Sequence, residues 1–113
     1  MALAKRTRVE IFLPISRDTT VFKTVTDWLA EELALARGGS TLTTPFTSLY
    51  ASATRDSVVR DTVQILFCDF DLNAEDALHR TKLLTYLNDV RFLLMEVLRE
   101  EDWITYHSIM RIL

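Results

Sequence analysis

The chain has 113 residues, a formal net charge of −3, 49% hydrophobic and 26% charged residues, and only two glycines and two prolines. These values suit one domain spanning residues 1–113, with 1–7 expected as a flexible tail; they leave no room for a glycine-rich phosphate loop, and the acidic balance argues against nucleic acid as a partner. Cys68 is the only cysteine, which excludes an intramolecular disulfide and any CxxC motif, and neither a signal peptide nor a long apolar run is apparent, so the expectation is a cytoplasmic chain with no membrane partner.

Residues 8–16, "RVEIFLPIS", alternate with period two and predict a strand. Val9, Ile11, Leu13 and Ile15 share one face, and Pro14 belongs near the strand's end because it lacks a backbone donor. Asp18, Thr19 and Thr20 can then cap a helix. Phe22, Val25, Leu29 and Leu33 form its apolar stripe, widened by Trp28 and Leu35, and Gly38 and Gly39 stop it.

"TTPFTSLYAS" (43–52) predicts a second strand, "ATRDS" a turn, and "VVRDTVQILFCDFDL" (58–72) a strong third strand, giving a hairpin. Asn73 can cap a long helix, with Glu75 and Asp76 in its first turn, where the helix dipole favours acids. Leu83, Leu87, Val90, Leu94 and Val97 mark its heptad-like stripe. "WITYHSIMRIL" (103–113) alternates as a last strand. The order β-α-β-β-α-β predicts an α+β fold of ferredoxin-like layout: a four-stranded antiparallel sheet with two helices on one face.

In this layout one face of each strand meets the helices. The expected set is Val9, Ile11, Leu13 and Ile15; Val63, Ile65 and Phe67; and Ile104, Tyr106, Met110 and Ile112. The opposite, open face then carries Glu10 and Phe12; Gln64, Leu66, Cys68 and Phe70; Trp103, Thr105, His107 and Ile109; and Phe46, Ser48 and Tyr50. So apolar a surface points to an interaction site. The expected role is a homodimer formed over the open face or through the second helix, with a small-molecule ligand held by Phe12, Tyr50, Leu66 and Trp103 and by Arg17 and Arg60 at strand ends. Arg55 could join these arginines on an anion. The alternative is a small cofactor-independent enzyme in which His107 and Glu10 form an acid–base pair.

The segment "ILFCDFDLN" resembles, over about nine residues, the first motif of the haloacid-dehalogenase family, where an apolar strand ends in D-x-D. The resemblance implies phosphoryl transfer by Asp69 and Asp71 beside magnesium. The chain departs from that pattern: the motif lies past mid-chain, Asn73 replaces the usual Thr or Val, and no second acidic cluster follows. Two local carboxylates do not complete a hard-cation site. The residues alone therefore read as a strand end, with no metal or cofactor. Cys68 reads as a small buried hydrophobe, and His79 as part of a solvated helix face. Two histidines and one cysteine offer no zinc cluster.

Overall fold

A computed structural model describes residues 3–15, 19–98 and 103–112, with the backbone alone for Leu3, Thr19, Tyr50, Trp103 and Ile112. The elements are β1 (Leu3–Pro14), α1 (Thr19–Arg37), β2 (Thr41–Leu42), β3 (Phe46–Ala51), β4 (Val58–Phe70), α2 (Ala77–Leu98) and β5 (Trp103–Ile112). The fold is α+β: two helices and an open antiparallel sheet of five strands in the order β2-β4-β1-β5, with β3 also paired to β4.

Five strands replace the expected four because the second is broken. Thr41 and Leu42 pair with Phe67 and Leu66, whereas Phe46–Ala51 pair with Val63–Val58. Between them Thr43 still bridges to Ile65: its N–H donates to the Ile65 carbonyl at 2.9 Å, and its Oγ1 accepts from the Ile65 N–H at 3.0 Å. Pro45 has no N–H to offer and restricts the residue before it, so the ladder resumes only at Phe46.

β1 starts earlier than its alternation predicts. Residues 3–7, expected as a tail, pair with β5, from Leu3 opposite Ile112 to Thr7 opposite Ser108. Thr7 is fully buried. Its Oγ1 donates to the Leu72 carbonyl at 2.7 Å and accepts from the Ala74 N–H at 3.2 Å, tying β1 to the β4–α2 turn.

The core lies between one face of the sheet and the helices. β1 contributes Val9, Ile11 and Leu13, α1 contributes Phe22, Leu29 and Leu33, and α2 contributes Leu83, Leu87, Val90, Leu94 and Leu98. Each such side chain stabilises by roughly 1.5–3 kcal/mol through lost water contact. Two details correct the helical expectations. The α2 stripe ends on Leu98, leaving Val97 exposed, because a straight helix of 3.6 residues per turn drifts off a heptad. On α1, Trp28 and Leu35 face water instead of widening the stripe, and Leu35 is 89% exposed.

Helix ends are set locally. Gly38 adopts φ +90°, with its N–H on the Ala34 carbonyl at 2.9 Å, the left-handed cap that glycine accepts best. Asp76, not Asn73, caps α2: its Oδ1 accepts from the N–H groups of Leu78 (3.0 Å) and His79 (3.1 Å), which holds its carboxyl below the usual range. Asn73 instead makes the preceding turn, its Oδ1 accepting from the Glu75 N–H at 3.1 Å. His79, expected on a solvated face, accepts the Asn73 N–H on Nδ1 at 3.0 Å. Among the described residues no helix is long and apolar enough to cross a membrane.

The largest correction concerns β4. Register places Cys68 opposite Val9 and Leu66 opposite Ile11, and directly opposed residues share a face. Leu66 and Phe70 are fully buried and Cys68 is 3% exposed, all three in the core under the helices. Ile65 and Phe67 lie on the open face with Phe12 and Glu10, the reverse of the expected assignment. Val63 shares that open-face parity and is still buried, in register with Pro14 on one side and Phe46 on the other.

Candidate functional site

The open face divides into two ends. At one end Phe12 lies opposite Ile65 on one side and Trp103 on the other. At the other end the rows are charged: Arg8 sits between Asp69 and His107, and Glu10 between Phe67 and Thr105.

The two aspartates of "CDFD" are engaged by β1. Arg8 Nε donates to Asp69 Oδ1 at 2.7 Å and its second nitrogen to Oδ2 at 3.0 Å, a two-point pair. These bonds hold the Asp69 carboxyl below its ordinary range and raise the Arg8 guanidinium. Arg8 also lies 5.2 Å from the Phe67 ring centre, within cation–π range. Arg6 pairs with Asp71 at 3.0 Å. Among the described residues no three His, Cys, Asp or Glu side chains converge as a metal site.

Beside this end a cleft of about 410 Å³ opens between the end of α1, the start of β2 and the sheet. Arg8, Arg37 and Arg111, Asp69, Phe67 and the Gly38–Thr41 turn line it. The Arg37 guanidinium lies over two rings, 4.4 Å from the Phe70 ring centre and 5.3 Å from that of Tyr86. Ser40 fixes the turn by donating to the Ala30 carbonyl at 2.7 Å. The Cys68 thiol donates to the Gly39 carbonyl at 3.1 Å, and burial pushes its pKa up to about 11. A thiol so held is a structural donor and not an available nucleophile.

The residues picked from the sequence do not form one site. His107 Nδ1 stands 3.9 Å from Glu10 Oε1, near enough for an ion pair but beyond hydrogen-bond length, and both side chains reach water. Leu66 is in the core and unavailable to a ligand on the open face. Phe12 lies on the open face, with Trp103 beside it in register, whereas Tyr50 pairs with Val59 on the β3–β4 hairpin. Arg60 is opposite Leu49 on that hairpin and Arg55 is in its turn, so neither lines the cleft. Arg17 lies outside the described residues.

Arg8, Arg37 and Arg111 are what sequence reasoning missed. Arg8 reads as a polar-face residue at the start of the first strand, and Arg37 and Arg111 are far apart in the chain. They line one cleft because the end of α1 leads into β2, beside β4, while β1 and β5 follow β4 across the same sheet. The one signal available was position: Arg37 just before a glycine pair, at the end of a helix.

Comparison with protein-family models, with curated proteins and with solved structures returned no match.

Proposed function

We propose that this chain is a self-assembling module of ferredoxin-like layout, its second strand interrupted, and that two copies join edge to edge along β5. The observation that carries this reading is the edge itself. β5 runs for ten residues, pairs only with β1 among the described residues, and leaves its outer backbone groups without strand partners. Natural sheets blunt such edges with prolines, bulges, charges or very short strands. β5 holds no proline and one permanent charge, Arg111, whereas the opposite edge is divided between the short β2 and β3.

The side chains favour a second copy as the occupant. Tyr106 and Met110 point to the helix side of the sheet yet are 37% and 56% exposed. A twofold axis through Ser108, normal to the sheet, sets Tyr106 opposite Met110 of the other copy and Ile104 opposite Ile112. On the open side it sets His107 opposite Ile109 and Thr105 opposite Arg111, so no like charges face each other. Tyr86 turns one flank of α2 towards Arg37 of α1. The other flank, with Leu84 and Met95 exposed, lies on the β5 side and adds apolar surface to the same contact.

The test is mass in solution by light scattering or sedimentation. The expected result is a dimer at micromolar concentration. Met110→Lys should weaken it at least about tenfold, about 1.4 kcal/mol, by setting a charge on the paired edge. Leu49→Lys, on the β3–β4 hairpin, should leave it intact. A monomeric wild-type chain, or a Met110→Lys dimer as tight as wild type, would refute β5 as the joint.

A further inference from the structure

We infer that the cleft beside Arg8 is a binding site for the phosphoryl group of a small molecule. Its lining sets three guanidiniums against one carboxylate, Asp69. Arg8 is matched by that carboxylate through two hydrogen bonds. Arg37 and Arg111 have no carboxylate partner within ion-pair distance among the described residues. One carboxylate, already paired with Arg8 and also within the field of Arg111, therefore faces three guanidiniums around one concavity, in a chain whose net charge is −3. A phosphate monoester carries close to two negative charges at neutral pH, and planar guanidiniums suit its oxygens.

The arrangement is built, not incidental. Arg37 lies over Phe70, a fully buried ring, and near Tyr86, so its guanidinium is held at this end of the cleft. Among the described residues the Arg37 guanidinium N–H groups make no hydrogen bond and keep their capacity to donate. Arg111 projects from β5 on the open-face side, the same parity as His107 and Ile109. Asp69 holds Arg8 in place between them. The Gly38–Gly39 turn brings no side chain beyond hydrogen into the space: a methyl group added at either glycine would meet nothing within 4 Å. The cleft, at about 410 Å³, falls within the size range of small-molecule pockets, roughly 300–1,000 Å³. Phe67 supplies one apolar wall for the remainder of the molecule.

The test is calorimetric titration of the full chain with inorganic phosphate, with acetate as the control anion. The expected result is saturable phosphate binding that weakens with added chloride and exceeds acetate binding. Arg111→Gln should weaken it about tenfold, the loss of one hydrogen bond to a charged group, and Arg37→Gln at least as much. Arg91→Gln, on the exposed face of α2, should change nothing. Arg37 also packs, so Arg111→Gln, which removes no ring contact, is the deciding variant. No saturable phosphate binding, equal binding of acetate, or unchanged affinity in Arg111→Gln would overturn the assignment. Binding is read per chain, so its failure is separate from failure of the β5 dimer.

Discussion

Asp69 shows how one side chain can serve structure where its motif resembles chemistry. It accepts two hydrogen bonds from Arg8 and feels the charges of Arg111 and His107, all of which favour its ionised form. Its folded pKa is therefore lower than its unfolded value. Stability from this pair is present above the unfolded value, about 3.9, and is lost as pH falls through the folded one. Both partners are partly open to water, which limits the worth of the pair to about 1 kcal/mol or less. Asp69→Asn should be less stable than wild type by about that amount at neutral pH. The gap should close in acid as the wild-type carboxyl protonates. Denaturation midpoints across pH measure this; a gap that persists or grows in acid contradicts the linkage.

At the scale of elements, the division between what was legible and what was not follows from how many patterns each segment permits. β1 alternates apolar and polar residues over Val9–Leu13, so its buried face was readable. The α1 stripe survives in Phe22, Leu29 and Leu33 because these positions keep the helical period. β4 permits two readings: Val63, Ile65 and Phe67 are apolar, and so are Leu66, Cys68 and Phe70. The deciding cue was present in the aspartates. Asp69 shares parity with Ile65 and Phe67, so burying those two would carry its carboxylate under the helices, a large desolvation cost. The strand takes the other register, and Asp69 reaches Arg8 across the open face. The candidate cleft was not legible, since it depends on sheet order and not on any local spacing. The β4 assignment makes a sharp contrast testable by chemical denaturation. Leu66→Ala should cost about 2–5 kcal/mol, as for other buried leucines, and Ile65→Ala about 1 kcal/mol. Equal losses would contradict the face assignment.

The whole molecule is longer than its size requires. Its radius of gyration is 15.5 Å and its extents are 49 × 31 × 26 Å, whereas a compact domain of this length has a radius near 13 Å, roughly. The β3–β4 hairpin is a part with little cover. Leu49 and Val58 there are 56% and 65% exposed, and the turn is held by its own polar groups, with Ser52 and Thr54 donating to Asp56 at 3.0 and 2.6 Å. Two strands without a covering layer are marginally stable in water. Backbone amides of residues 47–51 and 58–62 should therefore exchange with solvent faster than those of Val9–Leu13, in a hydrogen-exchange experiment on the wild-type chain. Equal protection would mean that another surface covers the hairpin. Yet β4 runs unbroken from the hairpin into the core. A one-residue slip begun at the tip would have to turn Leu66, Cys68 and Phe70 out to water along the same strand. The hairpin can fray, but β4 cannot slide against β1: the buried half of that strand keeps the alignment of its exposed half.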